Sequence, residues 1–113
     1  MQRLWRAFWF SIAGLRRAFA DEAAFRQEVY LAIVLVPVAI IYAPDRGALL
    51  WLLSSVLLLM IVELLNTGIE AVVNKASPEW SDLAKKAKDT ASAAVFLAIA
   101  YLVLVWGLIF WPA

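Results

Sequence analysis

Three stretches without a charged side chain decide what this chain can be: Val29–Pro44, Gly47–Val62 and Thr90–Ala113. About 20 apolar residues cross a bilayer as an α-helix. The third stretch meets that length outright, and the first two reach it through mostly apolar flanks. Of the 113 residues, 65% are apolar and 17% charged, more apolar surface than a soluble domain this short can bury. The fold class expected is an all-α membrane protein with three transmembrane helices, at residues 29–44, 47–73 and 88–112, within a single domain over residues 1–113. Pro44-Asp45-Arg46-Gly47 supplies the tight turn between the first two spans, residues 74–89 form a longer loop, and Pro37 is a candidate kink in the first span.

Residues 1–28 have a different pattern. Leu4, Phe8, Ile12, Leu15 and Phe19 recur every three or four positions, and Arg3, Arg6, Arg16 and Arg17 supply cationic flanks. Trp5 and Trp9 suit the headgroup level. The segment reads as an amphipathic helix lying on the membrane surface. The rival reading, a signal peptide, lacks the apolar core and small-residue cleavage site that should follow the arginines. Five Arg in the N-terminal segment and four Lys in the 74–89 loop, against one Arg in the tight turn, predict that the N-terminus and that loop face the cytoplasm and the C-terminus faces outward.

The chain has no Cys and no His. Thiolate chemistry, imidazole bases and the usual zinc sites are thereby excluded. A metal must be held by oxygen, which favours magnesium or calcium, and a general base must be a carboxylate. The second span continues as Glu63-Leu-Leu-Asn66-Thr-Gly-Ile-Glu70-Ala-Val-Val-Asn74. Glu63, Asn66, Glu70 and Asn74 share one helical stripe, with Glu63 and Glu70 about 10 Å apart along the axis. Such a stripe either lines a catalytic or transport site or packs against a neighbouring helix. The cluster Asp21-Glu22 to Glu28 is, by spacing alone, a charged join between the surface helix and the first span; Glu22 gains interest if it meets Glu70. Lys85, Lys86 and Lys88 suit ordinary anchoring, and Lys88, at the start of the third span, is a candidate for meeting a phosphate. Ala91, Ala93, Ala94 and Ala98 allow close helix approach. No P-loop, dinucleotide fingerprint or protein-kinase motif is present.

Glu22-Ala-Ala-Phe-Arg-Gln-Glu28, Met60-Ile-Val-Glu-Leu-Leu-Asn-Thr-Gly-Ile-Glu-Ala-Val-Val73 and Ala87-Lys-Asp-Thr-Ala-Ser-Ala-Ala94 together closely resemble the prokaryotic diacylglycerol kinases, over nearly the whole chain. The resemblance implies a homotrimer of the bacterial inner membrane that transfers the γ-phosphate of magnesium–ATP to the primary hydroxyl of diacylglycerol, giving phosphatidic acid. It implies Glu63 as the general base, Glu22 and Glu70 as the carboxylates on Mg2+, and Asn66 as their support. It implies ATP contacts at Arg3, Phe10, Glu79, Trp80, Ser81, Lys88 and Asp89 as well as the two metal carboxylates. Lipid contacts are implied on the surface helix at Arg3, Ala7, Phe8, Trp9, Phe10, Ser11 and Ile12, then at Arg16, Arg17, Ala18 and Phe19. They continue at Ala24, Phe25, Arg26, Gln27 and Glu28, at Ile41, Tyr42, Ala43 and Pro44, and at Leu49, Glu63 and Ser92. Three positions depart from the family pattern. Phe10 replaces a tyrosine and loses its hydroxyl, Asn74 replaces an aspartate, and Ala91 replaces a frequent glycine.

Undecaprenol kinases share these motifs and differ in the lipid. A small pore or assembly protein, with the polar stripe as packing glue, and a proton-coupled carrier using Glu63 and Glu70 are the readings outside that class.

Overall fold

A computed structural model describes residues 1–112; Ala113, the last residue of the expected domain, lies outside the described residues. Four helices follow one another: α1 (Gln2–Asp21), α2 (Ala23–Tyr42), α3 (Arg46–Ala76) and α4 (Asp82–Ile109). α2, α3 and α4 are each long and apolar enough to cross a membrane. α3 is central, packing on both α2 and α4, and α1 packs on α2. The all-helical membrane architecture expected from the charge-free runs is the one observed.

The helix ends differ from the expected boundaries, for local reasons. Sequence charge suggested a surface segment as far as Glu28, but α1 stops at Asp21. Glu22 adopts an extended backbone (φ −114°, ψ 112°), with its N–H bonded to Ala18 O. The first helix apolar enough to cross a membrane therefore starts at Ala23 and carries Phe25, Arg26 and Glu28 within its first two turns. It runs through Pro37 to Tyr42.

The tight turn is shorter than expected. Arg46 and Gly47 already belong to α3, because Asp45 caps it: the carboxylate accepts from Ala48 N at 2.8 Å, satisfying one of the N–H groups a helix start leaves open. The 74–89 loop contracts to residues 77–81 for a related reason. α3 continues to Ala76, and Ser81 Oγ accepts from Ala84 N at 3.0 Å to cap α4. Lys85, Lys86 and Lys88 consequently stand on the first turns of α4.

At the end of the bundle near the α2–α3 turn, Ala39, Leu52 and Val105 form a buried cluster backed by Leu49, Tyr101, Trp106 and Ile109. Trp106 Nε1 donates to Ser55 Oγ at 3.0 Å, and Ser55 Oγ donates to Leu52 O at 2.8 Å. This joins α4 to α3 through a hydroxyl that is itself fully buried. Elsewhere the spans leave large side chains exposed, among them Ile33, Leu57, Phe96 and Val103, the surface expected of helices whose solvent is lipid.

α3 has 31 residues, about 46 Å of helix against a hydrocarbon core of about 30 Å. Measured from Arg46, about 20 residues fill that core. Glu63 then falls at its edge, and Glu70 and Asn74 extend past it.

Candidate active site at the α1–α3 groove

Exposure falls along the α3 stripe with depth. Asn74 is exposed, Glu70 and Asn66 are half-buried, and Glu63 is buried at 5% exposure. Asn66 Nδ2 donates to Glu70 Oε1 at 2.8 Å, which fixes one carboxylate oxygen and leaves Oε2 for another partner. Glu63 Oε2, Asn66 Oδ1 and Glu28 Oε1 are buried without a hydrogen-bond partner among the described residues. Buried polar atoms are normally satisfied, so three of them at one end of one bundle mark that end as built to meet something else.

The helix break at Glu22 brings the second carboxylate into range. Glu22 caps neither helix with its side chain, and it lines the same groove as Glu70. This open groove of about 790 Å³ between α1 and α3 is also bordered by Ser11, Arg17, Ala18, Asp21 and Asn74. Arg17 Nε holds Asp21 Oδ2 at 2.7 Å on its α1 wall. Two carboxylates on one groove, one steadied by an amide, are hard oxygen donors of the kind that suits a magnesium-type cation. No group of three or more Asp, Glu, His or Cys converges among the described residues, so the remaining ligands of such an ion would be phosphate oxygens and water.

A second cavity, of about 310 Å³, lies where α3 ends and α4 begins, and it gathers Glu79, Trp80, Ser81, Lys88 and Asp89. Asn74 lines both cavities, so a ligand reaching from the loop to the carboxylates passes over it. The resemblance had passed Asn74 over as a departure; its place on the stripe with Glu63, Asn66 and Glu70 was the signal available. Ser81 Oγ accepts from Ala84 N as the α4 cap and from Ser77 Oγ at 3.4 Å, and Asp89 pairs with Lys85 at 2.6 Å. Lys88 forms no ion pair among the described residues.

The other expected residues are more dispersed. Arg3, Ala7 and Phe10 line a hollow on the first turns of α1. Phe8 and Trp9 stack edge-to-face with centroids 5.3 Å apart, and Ile12 is half-buried nearby. Arg16, Phe19 and Phe25 line an apolar recess with Leu15, Val29 and Met60. Ala24 and Gln27 are exposed on α2 and Ser92 on α4. Ile41, Tyr42, Ala43, Pro44 and Leu49 sit at the opposite end of α2, about 30 Å of helix from Glu22, and within one chain they do not meet the carboxylates. Arg26 Nη1 is engaged by backbone: it donates to Phe19 O and Ala20 O, each at 2.8 Å.

Similarity to known proteins identifies the family. A family model described as prokaryotic diacylglycerol kinase matches residues 9–110. The chain is 44% identical over 109 residues to the diacylglycerol kinase of Pseudomonas aeruginosa, covering 96% of this chain and 89% of the relative. It is 43% identical over 109 residues to that of Escherichia coli K12, with the same coverage. To the Haemophilus influenzae enzyme it is 41% identical over 98 residues, 87% of this chain and 83% of the relative. With the motifs, the three spans and the full-length similarity in agreement, this chain belongs to the prokaryotic diacylglycerol kinase family.

Proposed function

We propose that the protein phosphorylates the primary hydroxyl of diacylglycerol with ATP at the α1–α3 groove, giving phosphatidic acid. The observation that carries this reading is the convergence of Glu22 and Glu70 on one groove, with Glu63 deeper on the same stripe and Asn74 joining that groove to the loop cavity.

ATP enters from the α3–α4 loop, with its base and sugar against Glu79, Trp80 and Ser81 and its phosphates passing Lys88 and Asn74. Arg3 and Phe10 belong to the same nucleotide set by family similarity. Glu22 and Glu70 would hold Mg2+, which when bound neutralises charge on the phosphates, the main requirement of phosphoryl transfer. Glu63 accepts the proton of the lipid hydroxyl as that oxygen bonds to the γ-phosphorus. The bond from the γ-phosphorus to the β–γ bridging oxygen breaks, and ADP departs with the electron pair. Asn66 keeps Glu70 in place through its Nδ2. The amphipathic α1, with Ser11, Arg16 and Phe19, and the start of α2 form the lipid's side of the site.

The enzyme works in the bacterial inner membrane, with its N-terminus and α3–α4 loop cytoplasmic and its C-terminus outward, as the Arg and Lys distribution favours. A homotrimer encloses the site: one chain leaves the groove open and long apolar faces uncovered, and copies packed side by side supply the missing walls.

The test is phosphorylation by the purified protein with magnesium–ATP and either diacylglycerol or undecaprenol. Preference for diacylglycerol is expected. Preference for the polyprenol would reassign the substrate within the same fold, and ion-gradient-driven transport without ATP consumption would remove the kinase reading.

A further inference from the structure

We infer that Arg26 is a positioning residue: by tying α1 to α2 across the break at Glu22, it sets the direction in which Glu22 faces the groove. The inference rests on the assignment of Glu22 as a metal carboxylate.

Glu22 is the one residue between two helices, in extended conformation, and its side chain makes no capping bond that would hold it. Its orientation is therefore set by the angle between α1 and α2. Arg26 grips both sides of that angle. Its backbone N–H donates to Glu22 O at 3.1 Å, and its guanidinium Nη1 donates to Phe19 O and Ala20 O at 2.8 Å each. Those two carbonyls belong to the last turn of α1, where a helix leaves acceptors unsatisfied and presents the negative end of its dipole. α1 has no basic residue of its own in that turn; the cation comes from the next helix. Charge-assisted bonds of this kind are stronger than neutral ones, and Phe25 beside Arg26 is buried at 2% exposure, which anchors the base of the arm. The T-shaped contact of Phe19 with Tyr30, at 6.0 Å between centroids, holds the same two helices further along.

The experiment compares Arg26→Gln and Arg26→Lys with the unmodified full-length protein in lipid nanodiscs. An ammonium can still reach the two carbonyls; a glutamine amide brings no charge. Arg26→Gln is expected to raise the magnesium concentration for half-maximal rate about tenfold or more, the usual cost of losing a group that orients a metal ligand. Arg26→Lys should keep most of the magnesium response. Independently of activity, the chain has no cysteine, so spin labels at Ala13→Cys and Ile33→Cys, diluted with unlabelled protein, report the α1–α2 distance. Arg26→Gln should broaden that distribution and Arg26→Lys should keep it narrow. An unchanged distribution, or a raised lipid KM with unaltered magnesium dependence, overturns the inference and makes Arg26 a lipid contact. Glu22→Gln run in parallel separates the two assignments. If it too leaves the magnesium dependence unmoved, the metal role of Glu22 fails; if it moves and Arg26→Gln does not, the positioning role fails alone.

Discussion

The two ends of the helical bundle are built on opposite terms. Near the α2–α3 turn, Ala39, Leu52 and Val105 are packed shut, and the one buried hydroxyl, Ser55, has both a donor and an acceptor. Near the α3–α4 loop the helices hold Glu28, Glu63 and Asn66, each with an oxygen that has no partner among the described residues, beside an open groove. A satisfied polar group between helices contributes modestly to stability, whereas an unsatisfied carboxylate costs free energy. In the proposed reaction the second end retains that cost because a group that takes a proton cannot also be locked in a permanent ion pair.

The widest separation between the ends should come from Glu63→Gln. Loss of a positioned base lowers kcat about 10²- to 10⁴-fold, while removal of an unpaired buried charge leaves the thermal midpoint unchanged or raises it. Rate assays and melting curves on the same preparation check both halves. A wild-type rate with reduced oligomer stability would make the stripe packing glue. Leu52→Ala is the converse change. It should cost about 2–5 kcal/mol of stability through the cavity it leaves, read by denaturation in detergent, with KM for ATP unaltered. Trp106→Phe removes the Ser55 bond and should cost about 1 kcal/mol, within the range of interhelical hydrogen bonds in membranes. A much larger loss would mean that the turn end depends on that bond more than on its apolar packing. The smallest effect is expected from Lys85→Ala. The Lys85–Asp89 pair is more than half exposed on both sides, and an exposed i,i+4 pair contributes about 0.3–0.5 kcal/mol. A measurable change in KM for ATP with little change in stability would show that Lys85 acts by holding Asp89 against the nucleotide.

The contrast was only partly legible beforehand. The stripe from Glu63 to Asn74 follows from helical spacing, and its motif carried the family resemblance. Where α1 ends did not follow. The stretch Phe19-Ala-Asp-Glu-Ala-Ala-Phe25 has no Pro or Gly to mark a break, and the change from charged to apolar residues falls later, at Glu28. The extent of α4 was hidden similarly: its first turns are rich in lysine and read as loop until Ser81 is seen as its cap. The lipid-side set was the most scattered, because residues 41–44 and Leu49 stand a full helix length from Glu22.

What the sequence determined by itself is the membrane class, the three spans and the acidic stripe, since charge-free length and a 3.6-residue period are local properties that water and lipid read directly. Only the tertiary structure decided that Glu22 shares a groove with Glu70, that Asn74 joins two cavities, and that Arg26 closes the end of a helix other than its own. Those facts depend on the angles between helices, and such angles are set by contacts between residues that no spacing rule connects.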